Sequence, residues 1–476
     1  MIDYFYFKGE HPRLGSLDVC PFVPVQNVSM DVCVQCAKEF GSLLADKLKV
    51  PVFLYGFASS TDYRSSVPQI RNGEYEGLKE KLADPRWKPD FGPAEFVPIW
   101  GATIVGARDF LIAYNVNLIS TKEQAHRIAL NIRESGRGPL KPGRLKKVQA
   151  VGWYTEEANI AQVSTNISDS NESPLHIVYE EVLKDAKELS LPVVGSQVVG
   201  LVPLQAMLDA ATYYIEKENL FVINEDQKIR LVIERLGLNS VGCFNPKEKI
   251  IEYIIKKNTT GPLLSGSLGN FITSIGSRTS SPGGGSASAA VAAIGAALGC
   301  MGGFLTYGSK KFESLDSTMR RLISQFNDIY KDLLPLIDKD TDAFNGYIGA
   351  IKLPSSTQEE KDRREKAMQT ELLKAIEIPL TIMRISDQCW NPFLELAHCC
   401  NVRVISDVQT GSRSLEAGIW GAYYNVVINL KSVTDEEFKK ETLQEINTRV
   451  ESAQYNCQQI LKVLGARTEF SVDSGS

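Results

Sequence analysis

The sequence predicts an α/β region followed by an all-α helical bundle, and three observations carry that prediction. Between Phe110 and Val194 the hydrophobic period alternates between two and 3.6 residues in the order βαββαβ, the pattern of a ferredoxin-like sheet with helices on one face. Val50-Pro51-Val52 and Leu191-Pro192-Val193 occupy matching places after a helical run, so the unit is read as duplicated. Beyond Cys243 no convincing strand pattern remains, and long helical periods take over. A chain of 476 residues also exceeds what one core normally serves. The expected divisions are 1–110 and 111–255 for two α/β subdomains, 256–263 for a linker and 264–476 for the helical domain.

Taken in order, the first copy shows a strand near Val19 to Val25, a helix over Met30 to Leu48 and a strand at Val50 to Gly56. It lacks the opening strand and helix of the second copy, so it is expected to be incomplete. In the second copy Phe110, Ile112, Tyr114, Val116 and Leu118 alternate as a strand, and Ser120 with Glu123 forms a capping-box signature for a helix through Arg133. Val148 to Tyr154 and Ile160 to Ile167 are strands split by Thr155-Glu156-Glu157. Pro174 to Leu189 repeats the helical period before the strand at Pro192-Val193-Val194. Lys256 to Pro262 is polar and ends in Gly-Pro, the mark of a linker. Past it, Thr357/Glu360 and Thr434/Glu437 are capping boxes. Ala287 to Leu305 carries no charge, but its Ala, Gly and Ser content is too weakly hydrophobic for a membrane span and suits a tightly packed interior helix.

Composition narrows the function classes. With 43% hydrophobic and 23% charged residues, a formal charge of −5 and a pI near 5.7, the chain has no general attraction for nucleic acid or anionic membrane. Nine cysteines and the absence of a signal-peptide pattern near Met1 point to a reducing, cytoplasmic setting. Cys33 and Cys36 lie in a helical period with no second pair at zinc spacing, so no metal centre is expected.

Chemistry concentrates at a few places. Phe312, Leu315, Met319, Leu322, Phe326, Ile329, Leu333 and Leu336 advance by threes and fours along one apolar seam, and the next position on it is Asp340. An inward carboxyl loses solvent, which raises its pKa and suits acid or base work. The alternative is a helix break at Pro335 that turns Asp340 to solvent or makes it a local cap. Asp338 and Asp342 fall on another face and read as a solvated edge. Gly283, Gly284 and Gly285 precede the small-residue helix, where free N–H groups can meet an anion or form a plain loop. Gly92, Pro93, Ala94, Glu95, Phe96, Val97, Pro98, Ile99, Trp100 and Gly101 form a rigid aromatic stretch fit for a flat ring or for an ordinary connection. Arg137, Lys141, Arg144, Lys146 and Lys147 could receive an anionic tail or remain solvated, and Ser406, Asp407 and Arg413 form a polar patch of open role.

Gly9-Glu10-His11-Pro12-Arg13 and the text after it, Leu14 to Val25, resemble the transferase half of the formimidoyltransferase-cyclodeaminase family, and the resemblance runs through nearly the whole chain. Asp340-Thr341-Asp342-Ala343-Phe344, followed by Lys352-Leu353-Pro354, is similar to the motif carrying that family's cyclodeaminase acid/base. The resemblance implies transfer of a formimidoyl group from N-formimidoyl-L-glutamate to tetrahydrofolate, then cyclisation of 5-formimidoyl-tetrahydrofolate to 5,10-methenyl-tetrahydrofolate with release of ammonia. It implies His11 and Asp340 as catalytic groups, and folate contacts at Gly92 to Gly101 and Gly283 to Gly285. Polyglutamylated tetrahydrofolate is the implied co-substrate, with no metal or redox cofactor. The family further implies a ring-shaped homo-oligomer and Golgi, centrosomal or cytoskeletal contacts, so a non-catalytic scaffold is the rival reading. Family members carry residues before the Gly-Glu-His-Pro-Arg string, so this chain is expected to be an N-terminally truncated form with an impaired transferase half.

Overall fold

The computed structural model describes residues 12–25, 27–255 and 261–472. Contacts gather into two compact units, one of residues up to Asn219 with Glu225–Ile254, the other of Leu220–Asn224 with the chain from Ile255 onward.

The first unit holds two sheets. One contains β1 (Val19–Phe22), β2 (Val52–Gly56) and β3 (Thr103–Ala107) in the order β1-β3-β2, with both pairs parallel. Between β1 and β2 the chain crosses over through α1 (Met30–Leu48), opened by the Ser29 hydroxyl accepting from the Val32 N–H and closed by Lys49 in the left-handed region. Two short helices, α2 (Val67–Arg71) and α3 (Leu78–Ala83), lead toward β3. This sheet differs from the ferredoxin-like repeat expected of a duplicated unit: β3 fills its central place and runs parallel to both neighbours. Thr103-Ile104-Val105-Gly106-Ala107 is buried throughout, so it lacks the two-residue alternation that would have announced it.

The second sheet follows the expected order: β4 (Ile112–Leu118), α4 (Lys122–Ile132), β5 (Val148–Thr155), β6 (Ile160–Ile167), α5 (Leu175–Glu188) and β7 (Val193–Val199). Its strands lie β5-β6-β4-β7, antiparallel throughout, which is the ferredoxin-like arrangement. Ile112, Tyr114, Val116 and Leu118 face α4 and α5 in one core. The α4 cap is Thr121, one residue beyond the expected Ser120. Four further helices, α6 (Leu204–Lys217), α7 (Glu225–Arg235), α8 (Pro246–Lys249) and α9 (Ile251–Ile255), follow.

The second unit is helical: α10 (Pro262–Ser265), α11 (Leu268–Ile275), α12 (Gly284–Phe304), α13 (Asp316–Leu333), α14 (Leu336–Ile351), α15 (Gln358–Asp387), α16 (Trp390–Cys399), α17 (Ile405–Leu430) and α18 (Glu436–Val472). The small-residue helix α12 lies at its centre. A Cβ on Gly295 would sit 2.7 Å from the Leu415 nitrogen and 2.8 Å from the Gly411 oxygen, so α12 and α17 approach backbone to backbone. Gly299 and Gly303 make room for Phe326 and Ile323 of α13 on another side. The helix is long and apolar enough to cross a membrane, but its small residues form a packed core here. Thr357 and Glu360 form the expected capping box, whereas α18 is capped by Asp435, whose carboxylate accepts from the Phe438 N–H, one residue past Thr434. The α10 helix begins inside the span expected as linker.

Candidate active site at the start of the central helix

The apolar seam bends at Pro335 without releasing Asp340. Leu334 and Pro335 keep right-handed helical torsions, at φ −55°, ψ −47° and φ −64°, ψ −21°, so the chain passes from α13 into α14 through a kink. Met319, Leu322, Phe326, Leu333 and Leu336 enter the core, and α14 then carries Asp340 onto the N-terminus of α12. The Ser286 hydroxyl donates to Asp340 Oδ2 at 3.1 Å and lies 3.1 Å from the Thr341 hydroxyl. Burial pushes the Asp340 carboxyl up from its ordinary pKa, while the hydroxyl and backbone N–H of Ser286 pull it partway back. The result is a carboxyl able to hold a proton at higher pH than a surface aspartate.

The glycine run exists for close approach. A Cβ on Gly285 would lie 2.0 Å from Asp340 Oδ1, so a larger residue cannot share the site with that carboxyl. At Gly284 the same atom would meet the Asn425 amide at 3.0 Å. Asn425, on α17, donates to the Gly421 carbonyl at 2.8 Å, and Ser281 donates to Asn345 at 3.2 Å on the rim. The positive end of α12 therefore faces the carboxylate of Asp340. Gly283 is the residue before the first helical turn.

The neighbouring acids divide. Asp342 is exposed, as expected. Asp338 is buried, contrary to the solvated-edge reading, because its two oxygens accept from the Leu263 and Leu264 N–H groups at 2.9 and 3.0 Å and cap α10. Ser406 and Asp407 lie at the opposite end of the antiparallel α12–α17 pair: Gly302 meets Val408 where Gly284 meets Asn425. Eighteen helical residues separate those levels, about 27 Å along the axis. Arg413 pairs with Glu416 at 2.8 Å.

In the first unit, His11 lies outside the described residues. The stretch after it is fixed: Gly15 bridges Gly101, the Ser16 N–H donates to the Trp100 carbonyl at 2.9 Å, and the Ala102 N–H donates to Leu14 at 3.1 Å. Arg13 is buried and pairs with Glu76 at 2.9 Å. Gly92 and Gly101, at φ +83° and +64°, let the 92–101 segment turn at both ends. Ile99 and Trp100 remain 53% and 39% exposed, leaving an apolar surface available. Of the basic group, Arg144 is committed to Asp185 at 2.7 Å and to Glu181. Cys33 is buried and Cys36 exposed on α1.

Several side chains carried no signal in the sequence. Asn115, Gln162 and Asn117 form a buried ladder on the sheet face opposite α4 and α5: Asn115 donates to Gln162 at 3.1 Å, Gln162 to Asn117 at 2.8 Å, and Asn117 to Ser240 at 2.8 Å. Val151 and Trp153 flank it in register on β5. Their two-residue alternation was legible, but their partners depend on strand pairing. Ser286 and Asn425 were likewise hidden until α12, α14 and α17 were brought together.

Three family models match the chain. One described as the N-terminal subdomain of the formiminotransferase domain covers residues 1–108, one described as the formiminotransferase domain covers 113–256, and one described as formiminotransferase-cyclodeaminase covers 267–448. Formimidoyltransferase-cyclodeaminase of Rattus norvegicus is 55% identical over 472 residues, 98% of this chain and 87% of that protein. Glutamate formimidoyltransferase of Thermoplasma acidophilum is 42% identical over 219 residues, 45% of this chain and 70% of that protein. The crystal structure of formiminotetrahydrofolate cyclodeaminase from Thermotoga maritima matches with 26% identity and a TM-score of 0.39, covering 43% of this chain and 98% of that one. The subdomain match begins at residue 1, and the chain spans 87% of the rat protein. On identity sustained across both the α/β and the helical regions, the chain belongs to the formimidoyltransferase-cyclodeaminase family.

Proposed function

We propose that the protein transfers the formimidoyl group of N-formimidoyl-L-glutamate to tetrahydrofolate and cyclises the resulting 5-formimidoyl-tetrahydrofolate to 5,10-methenyl-tetrahydrofolate, releasing ammonia. The observation that carries the second step is the half-buried Asp340 carboxyl set against Gly285 and Ser286. In that step the formimidoyl group enters protonated, as –CH=NH2+; the folate nitrogen at position 10 attacks its carbon and gives up its proton, and the resulting amine gains that proton to leave as ammonia, the positive charge remaining on the methenyl product. One carboxyl can serve both transfers, accepting the first proton as carboxylate and delivering it as acid. Burial favours the neutral form that makes delivery possible.

For the transfer step, the support is the apolar Ile99-Trp100 surface tied to the chain just after His11, together with the amide ladder of the second sheet. His11 is the proposed proton shuttle between the attacking folate nitrogen and departing glutamate. Gly92 to Gly101 is the proposed folate-binding segment, and tetrahydrofolate the shared co-substrate. The purified protein should release glutamate from N-formimidoyl-L-glutamate only when tetrahydrofolate is present, and ammonia from chemically prepared 5-formimidoyl-tetrahydrofolate. Absence of both products from folded protein would return the reading to a non-catalytic scaffold.

A further inference from the structure

Ser286 stands out among the residues of α12. The helix is built from Ala, Gly and a few larger apolar residues, and alanine would serve better for helix formation at this position. A buried hydroxyl costs free energy unless it is bonded, and Ser286 has no solvent exposure. Its neighbour Ser288 returns its hydroxyl to its own helix, donating to the Gly284 carbonyl. Ser286 instead reaches across to α14, to Asp340 Oδ2 on one side and the Thr341 hydroxyl on the other. A ligand cannot touch it, so any influence on chemistry passes through Asp340.

We propose that Ser286 is a positioning residue for the cyclisation step: its hydroxyl, oriented by Thr341, holds the Asp340 carboxyl in the one orientation that exchanges protons with the ligand. Three features converge on this. Gly285 lets Asp340 come within reach of the α12 backbone, Ser286 supplies a directed donor there, and the Thr341 hydroxyl lies 3.1 Å from the Ser286 oxygen, placed to donate to it once the Ser286 hydrogen is given to Asp340. The bond also favours the charged carboxylate against the pull of burial. Ser286 thereby keeps Asp340 able to give up its proton as well as hold it. The inference rests on the proposed role of Asp340.

The test is the pH profile of ammonia release from 5-formimidoyl-tetrahydrofolate by the full chain, for wild type, Ser286→Ala, Thr341→Val and Asp340→Asn. Without the Ser286 hydroxyl the carboxyl keeps its proton to higher pH, so the acidic limb of kcat, where the carboxylate must form before it can accept the first proton, should move up by about one pH unit. The plateau should fall about tenfold through loss of orientation, with KM little changed. Thr341→Val should shift the limb in the same direction by less. A uniform fall in kcat with an unmoved limb, or unchanged kinetics, would show Ser286 to be a packing residue and overturn the inference. Asp340→Asn separates the two claims: its loss of turnover beside an unmoved Ser286→Ala limb sinks this inference alone, whereas wild-type turnover in Asp340→Asn removes the functional reading beneath it.

Discussion

Asp340 works against the stability of its own surroundings. Its folded-state pKa is raised, so its contribution to stability is present below the ordinary carboxylate range and is lost as pH rises through the folded value. At neutral and mildly alkaline pH the ionised group therefore costs stability that a neutral amide would not. Asp340→Asn should raise the thermal midpoint of the helical unit by about 2 °C near pH 8, with the gain shrinking as pH falls through the raised folded value toward the ordinary carboxylate range. Differential scanning calorimetry across that range checks it, and a lower midpoint at pH 8 would mean that the carboxylate is better satisfied than its burial implies. Gly285→Ala should leave helicity intact but push the carboxyl aside, since the added atom would stand 2.0 Å from Oδ1. A displacement of that order can cost about a hundredfold in rate, readable as ammonia release in a protein with wild-type circular dichroism. At this scale the sequence exposed Asp340 because the apolar seam counts out to it. Ser286 and Gly285 were legible only as a helix start, because their relation to Asp340 is a distance between elements far apart in the chain.

At the scale of elements, α10 and α14 are joined by a single carboxylate. Asp338 takes two N–H groups from the first turn of α10, and a Cβ on Gly261 would fall 2.1 Å from its Cγ. Asp338→Ala leaves those donors without their acceptor and should cost about 1–3 kcal/mol. Urea unfolding followed by circular dichroism should show the lower midpoint, and an unchanged midpoint would mean that water replaces the carboxylate at little cost. Pattern reading placed Asp338 on a solvated edge because acids one helical turn apart, here Asp338 and Asp342, usually are surface charges. The short α10 helix that buries it begins at Pro262, within the segment whose Gly-Pro ending suggested only a linker. The same limitation hid β3: a short continuous apolar run has no period, so only its parallel neighbours identify it as a strand. By contrast β4 sends Ile112, Tyr114, Val116 and Leu118 to the apolar core and Asn115 and Asn117 to the other face, and that alternation placed it correctly.

Across the whole molecule, the two units carry different sets of polar groups. The α/β unit brings the segment after His11 to the Trp100 loop and carries the amide ladder, and the helical unit assembles Asp340, Gly285 and Ser286 within its own packing. The change from alternating to helical period was legible in the sequence, while the internal order of the first sheet depends on strand pairing. The central claim is that Asp340 serves ammonia release and that formimidoyl transfer belongs to the other unit. The most direct measurement is both half-reactions on one preparation of Asp340→Asn: glutamate release from N-formimidoyl-L-glutamate with tetrahydrofolate, and ammonia release from 5-formimidoyl-tetrahydrofolate. Glutamate release within about twofold of wild type, with ammonia release down by about a hundredfold or more, is the predicted result. Ammonia release at the wild-type rate in a folded Asp340→Asn protein would contradict it.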